Sequence, residues 1–279
     1  MSPPPSESPG EVPTEARVPP ATDRVRGEWA RRVEAEYSSC AIATHLALWL
    51  VEAGASPDLI RAAWRAANDE LVHAEQAHAV LTEAGGALAG PLDRRRLGLT
   101  RTAGPPVEHD ILRVAVQVFC LGETVAVPLF RQLRAGCTVP VARAALDRVL
   151  RDEVRHRALG WTLLDWLLAT QPEPERIRRR VARDLLPLDF FGLRYSYAQA
   201  HDAQMPEHER AWGLMPGRDY AATLDRTFER QYRPWFAERG IEAQPAWDEA
   251  AERLRGEGAL PAAAEGVAGP GLAEFLPRV

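Results

Sequence analysis

Between residues 23 and 170, apolar and polar positions follow the period of an amphipathic α-helix in four long stretches. Proline or glycine separates each stretch from the next, and the stretches cover 23–53, 57–83, 108–135 and 140–170. β-Branched runs are short, and turn dipeptides of the hairpin type are missing. The pattern therefore predicts an all-α fold.

The lengths of the connections favour one kind of bundle. Short turns join the first helix to the second and the third to the fourth, whereas roughly twenty residues rich in proline and glycine separate the second from the third. Two hairpins joined by a long crossover resemble the ferritin-like four-helix bundle, which uses one long connection of this kind. We predict that bundle for residues 23–170.

The remaining segments are assigned by composition and period. Residues 1–22 are rich in proline, serine and glutamate, so we predict a disordered tail. Residues 171–255 are predicted to be a helical extension that packs on the bundle, with helices at 174–200, interrupted at Pro187, and at 218–238. An aromatic stripe in the second of these helices predicts buried packing. Residues 256–279 are predicted to be a flexible tail.

Composition excludes several classes of function. The formal net charge is -5 and no large basic block is present, so no nucleic-acid partner is predicted. Cys40, Cys120 and Cys137 lie far apart without a CxxC pair, which argues against zinc ribbons and rubredoxin-type iron sites. The N-terminus lacks the features of a secretory signal, and no apolar stretch suits a bilayer span. We expect a cytoplasmic protein without a membrane partner.

The second and fourth helices carry the same chemical pattern. Residues 69–73 and 152–156 both read D-E-x-x-H, with Glu and His three positions apart. Residues at that spacing share one face of a helix, so each pair can bind one metal ion together. A single pattern of this kind arises easily by chance. Two of them, each on the second helix of a hairpin, indicate a metal site.

The first helix of each hairpin supplies a further carboxylate. In both hairpins, the glutamate of the first helix and the Glu-x-x-His pair of the second lie roughly 18–26 Å from the turn, at matching levels. Glu36 is preferred to Glu34 because only Glu36 continues an inner stripe through Cys40 and Ala43. The predicted metal ligands are Glu36, Glu70, His73, Glu123, Glu153 and His156.

Four carboxylates in one interior require compensating charge. They would repel one another and shift their pKa values strongly, and two divalent ions remove that penalty. Oxygen and imidazole ligands suit iron or manganese, so we predict two iron ions, with manganese or a mixed iron–manganese pair as alternatives. Asp69 and Asp152 are predicted to orient the ligand histidines, each acting on the histidine of the facing helix.

This set of residues resembles the di-iron carboxylate proteins of the ferritin-like superfamily, over about residues 23–170. The second motif is similar to the DExRH signature of bacterial multicomponent monooxygenase hydroxylases, whereas the first has Val72 in place of the arginine. The resemblance implies an O2-activating oxidase or oxygenase with a small organic substrate and an external electron donor. It assigns no catalytic residue beyond the metal ligands, and it leaves a homodimer open.

Two other functions remain open from the sequence. An iron- or peroxide-handling protein, of the ferroxidase, peroxidase or manganese catalase type, would use the same ligands. A non-catalytic structural bundle would instead pair its acidic residues with arginine, the residue type of all 34 basic side chains. Metal analysis of the purified protein distinguishes this last alternative from the others.

Overall fold

The computed structural model describes residues 18–90, 97, 99, 101–198 and 204–256. These residues contain eight helices and no strand, which confirms the all-α prediction. Most of each predicted tail, at 1–17 and 257–279, lies outside the described residues.

Four long helices have the bounds that the apolar pattern predicts, to within one residue at each end. They are α1 (Asp23–Glu52), α2 (Pro57–Glu83), α3 (Glu108–Gly136) and α4 (Pro140–Thr170). The Thr22 hydroxyl caps α1 by accepting the Val25 N–H at 3.3 Å, and α2 and α4 begin with proline, whose missing N–H costs nothing there.

The four helices pack as two hairpins set against each other. Helix α1 packs on α2 and α3 packs on α4, while contacts of α2 with α4 and of α1 with the start of α3 join the hairpins. His73 of α2 faces Asp152 of α4, and Asp69 faces His156. Residue numbers therefore rise on one helix as they fall on the other, so α2 and α4 are antiparallel.

Helix α3 contains a widened segment that the sequence does not predict. Ala115–Gly122 is π-helical, and ordinary α-helix resumes at Glu123 and continues past Pro128. Helix α4 approaches this segment so closely that a Cβ at Gly160 would lie 2.5 Å from the Phe119 carbonyl carbon and 2.6 Å from the Cys120 nitrogen. Only glycine at this position allows that approach.

The C-terminal extension consists of four further helices. Helix α5 covers 174–198 and α7 covers 217–237, and each contains a π-helical segment, Val181–Leu185 and Phe228–Tyr232 respectively. The predicted interruption at Pro187 is wrong, because the π-helical turn just before the proline lets the helix continue through it as Leu186–Ala198. Two short helices were missed: α6 (Glu207–Arg210) and α8 (Gln244–Gly256).

The extension has its own aromatic core. The rings of Phe228 and Trp247 stack with centroids 4.2 Å apart, and Phe190 meets both edge-on. Tyr232 and Phe236 of the predicted aromatic stripe are fully buried. Through α7, this core packs on the part of α3 that follows Glu123.

One helix of the described residues, Glu108–Gly136, is long and apolar enough to cross a membrane by length and composition. Its apolar window is 72% buried inside the protein, as in the core helix of a soluble protein. The structure is compatible with a soluble protein, and the cytoplasmic location stays a prediction.

We expect Gly160→Ala to lower the free energy of unfolding by about 1–3 kcal/mol, because the new methyl group would force α4 away from the backbone of Phe119 and Cys120. The measurement is chemical denaturation. Gly192→Ala is the matched control, since a Cβ there meets nothing within 4 Å and alanine favours the helix. Equal stability of the two variants would contradict the close approach of α4 to α3.

Candidate metal centre

The six predicted ligands lie together in the interior of the bundle. They form two groups that share Glu70, and within each group one donor atom from every residue lies within 4.8 Å of the others. Five of the six residues are buried, and the Glu36 side chain is 12% exposed. The first group is Glu36, Glu70 and His73; the second is Glu70, Glu123, Glu153 and His156.

Small residues on the inner faces of α1 and α2 make room for this cluster. Ala43, Ala66, Ala74 and Ala77 are all buried beside the ligand positions. The Glu-x-x-His spacing then places both side chains of each helix on the inward face. Glu34 belongs to neither group, so the structure brings Glu36 to the cluster and leaves its rival outside.

Each histidine presents one nitrogen to the glutamates and the other to an aspartate. His73 Nδ1 lies 3.4 Å from Glu70 Oε2 and 3.7 Å from Glu36 Oε2, while Nε2 lies 3.1 Å from Asp152 Oδ2. His156 follows the same plan, with Nδ1 3.0 Å from Glu70 Oε1 and Nε2 3.4 Å from Asp69 Oδ2. A proton on Nε2 leaves Nδ1 free to bind a metal.

Two arginines enclose the aspartates from outside. Arg155 Nη2 lies 2.9 Å from Asp69 and 2.6 Å from Asp152, and Arg148 contacts the same two carboxylates, with Nη2 3.2 Å from Asp69 Oδ1. Burial would raise the pKa of Asp69, but His156 and Arg155 outweigh it and lower that pKa to about 2. The aspartates are therefore held ionised, ready to accept from the histidines.

Sequence reasoning missed Arg148. It supplies the second guanidinium that the first motif lacks at Val72, and it reaches the aspartates from a position one turn before Asp152. The spacing of four residues from Asp152 is the one signal that could have found it.

The four glutamates lack the arginine partners that a structural bundle would provide. Among the described residues, ion pairs join Glu36, Glu70 and Glu153 to the histidines, and none joins a glutamate of the cluster to an arginine. Although Glu70 Oε1 and Glu153 Oε2 lie 3.0 and 3.6 Å from His156 Nδ1, neither pair has hydrogen-bonding geometry, so Glu153 Oε2 and His156 Nδ1 are buried without a hydrogen-bond partner. Such atoms are costly when left unpaired, and a divalent cation bound to both would remove the cost. The residues present thus fit a metal.

Without a cation, protons balance the charge of the cluster. Burial, followed by the neighbouring Glu153, raises the pKa of Glu123 well above its usual range. Burial and Glu70 also raise the pKa of Glu36 to about 8. Although burial opposes the charged form of His73, Glu36 and Glu70 raise its pKa to about 11. Metal binding would displace protons from these groups.

Tyr37, adjacent to Glu36 on α1, points away from the cluster and is 41% exposed. It follows Glu36 by one residue, and a step of about 100° around the helix turns it towards solvent.

We expect the metal-free protein to lose stability as the pH rises from about 6 to about 8. Glu36 titrates at 4.5 in its ordinary environment and at about 8 in the folded protein, so between these values the folded state holds a proton that the unfolded chain has lost. His73 acts in the same sense above 6.5. Denaturation at several pH values measures the slope.

Glu36→Gln should reduce that slope, because it removes one of the groups that hold the extra proton. Glu34→Gln changes a glutamate of the same helix outside the cluster and should keep the slope of the wild type. A metal-free protein whose stability rises over this pH range would contradict the proton balance described above.

Comparison with known proteins adds no family. No protein-family model matches the chain, and no curated protein matches it. The functional interpretation therefore depends on the geometry of the six side chains.

Proposed function

We propose that this chain is a ferritin-like di-iron protein that activates O2 to oxidise a small organic substrate, with electrons from an external donor. One observation carries the proposal: two adjacent groups of buried carboxylates and imidazoles share Glu70 at the centre of a helical bundle. A shared carboxylate between two groups is the arrangement that holds two metal ions close together.

The two groups give each ion its own ligands. Glu36, Glu70 and His73 would bind one ion, and Glu70, Glu123, Glu153 and His156 would bind the other. Carboxylate oxygen with imidazole nitrogen suits iron, and manganese is the alternative metal. The lack of arginine partners for the glutamates supports this proposal over a structural bundle, where those charges would be paired within the protein.

Bound iron in such a centre would supply the redox chemistry with O2. The chain's own residues perform the supporting tasks. Asp69 and Asp152 hold the Nε2 protons of the two histidines, and this fixes the direction of Nδ1. Burial is the main cause of the raised pKa values of Glu36 and Glu123, and bound cations would stabilise their ionised forms, so both residues would release protons on metal binding.

Access to the centre is proposed to lie along α1. Glu36 keeps 12% of its side chain exposed, and Tyr37 beside it is exposed, whereas Glu70, Glu153 and both histidines are almost fully buried. The surrounding bundle keeps bulk water from the other sides, which strengthens electrostatic interactions at the ligands. A small substrate would therefore approach past Glu36.

We expect the wild-type protein to retain about two ferrous ions per chain after anaerobic loading and desalting. Glu70→Gln should retain less than one, because both groups lose their shared carboxylate, while Glu123→Gln should retain about one. Elemental analysis measures the content. Glu75→Gln, an exposed position on α2, is the control and should keep the full amount. A wild-type protein without metal, or full retention by Glu70→Gln, would refute the proposed centre.

The ferrous-loaded protein, supplied with a reductant and a panel of small organic compounds, should consume O2 and yield an oxidised product. Glu123→Gln should lower the rate of O2 consumption at least about ten-fold, since one ion loses a ligand. An O2 electrode and mass spectrometry of the products make the measurement. Oxidation of ferrous ion or breakdown of peroxide without any organic product would instead identify an iron- or peroxide-handling protein.

A further inference from the structure

Glu123 follows directly on the π-helical segment of α3, and hydrogen bonds hold the chain on both sides of it. The Tyr232 hydroxyl donates to the Leu121 carbonyl at 2.5 Å, and Trp161 Nε1 donates to Thr124 Oγ1 at 3.1 Å. Tyr232, Leu121 and Thr124 are fully buried.

The direction of the Glu123 side chain depends on that widened segment. The Glu123 N–H bonds to the Val118 carbonyl, five residues back, instead of the carbonyl four residues back. A π-helical turn carries one residue more than an α-helical turn and persists where surrounding contacts hold it. Relaxation to α-helical register would turn Glu123 by about 100° around the helix axis and away from Glu153.

We propose that Tyr232 is a positioning residue for the metal centre. Its hydroxyl holds the widened turn at Leu121, and the turn directs the Glu123 carboxylate at the ion bound by Glu153 and His156. The proposal rests on the proposed metal binding. It also gives the C-terminal extension a role, because Tyr232 lies on α7, which packs on α3 from outside the four-helix bundle.

Packing alone does not account for the hydroxyl. The Tyr232 ring lies 5.9 Å from the Phe190 ring within the aromatic core, where a phenylalanine would fill the same space. The acceptor is a backbone carbonyl inside the widened turn, 111 residues away along the chain. Gly160 brings α4 against the segment at Phe119 and Cys120, and the hydroxyl contacts it at Leu121, two residues before Glu123.

The test is titration of the metal-free protein with Co(II), followed through its visible absorption bands. Tyr232→Phe removes only the hydroxyl. We expect it to bind one Co(II) ion as the wild type does, to bind the second about ten-fold more weakly, and to shift the bands of that second ion. Tyr220→Phe is the matched control: it removes another buried phenol hydroxyl from α7, beside Glu28 and Arg32, and should leave bands and affinities unchanged.

The possible results separate this inference from the proposed function. If the wild type binds no Co(II), both the proposed metal centre and the positioning role of Tyr232 are refuted. If the wild type binds two ions and Tyr232→Phe shows the same bands and affinities with only a lower melting temperature, the hydroxyl serves stability alone and this inference is overturned. An equal effect of Tyr220→Phe on the bands would overturn it as well.

A second measurement covers the case in which Tyr232→Phe does not fold. With 3-fluorotyrosine placed at position 232 of the otherwise unchanged chain, the 19F resonance reports on the hydroxyl's surroundings. Coupling between two sites is reciprocal, so Zn(II) binding, a diamagnetic probe, should shift this resonance with the second equivalent. The same label at position 220 should not respond. A resonance at 232 that stays fixed throughout the titration overturns the proposal.

Discussion

Mutual repulsion among buried glutamates is the constraint on which the rest of the structure depends. Donor atoms of each group lie within 4.8 Å of one another, and two like charges at about 4 Å cost about 4 kcal/mol at an effective dielectric constant of 20. The bundle cannot hold Glu70, Glu123 and Glu153 ionised together without positive charge nearby. It surrounds them with histidines, the histidines with aspartates, and the aspartates with arginines, so that each layer offsets the charge of the one inside it.

The histidines, aspartates and glutamates of the two hairpins are arranged similarly, as if related by an approximate two-fold axis. The differences between the hairpins make the two proposed metal positions unlike each other. Each aspartate contacts the histidine of the facing helix, yet both arginines that contact the aspartates come from α4. At the position of Arg155, α2 has Val72. Glu36 borders on solvent, whereas Glu123 lies behind the widened segment of α3. The two proposed metal positions are therefore unequal, one near the surface of α1 and the other enclosed by α3, α4 and the contacts of α7.

The sequence predicts those features that depend on neighbours close along the chain. Helix bounds follow from apolar periodicity and from Thr22, Pro57 and Pro140, and the Glu-x-x-His spacing suffices to place ligands on one face. The widened segment of α3 depends on Gly160, 38 residues beyond its end, and Tyr232 is more distant still. Such contacts leave no local pattern. The predicted break at Pro187 fails for the same reason: local rules disfavour proline inside a helix, and tertiary structure supplies a π-helical turn that admits it.

These long-range contacts connect the C-terminal extension to the cluster of glutamates and histidines. The described residues contain three π-helical segments, and Tyr232, the last residue of one, donates to Leu121 in another. A substitution in the aromatic core of α5, α7 and α8 would therefore affect the backbone of α3 close to Glu123 without altering any of the six proposed ligands. The buried glutamates and histidines could hold a metal ion. Under the proposed role of Tyr232, a change in the extension would alter how the Glu123 carboxylate is presented while the balance of buried charge stays intact.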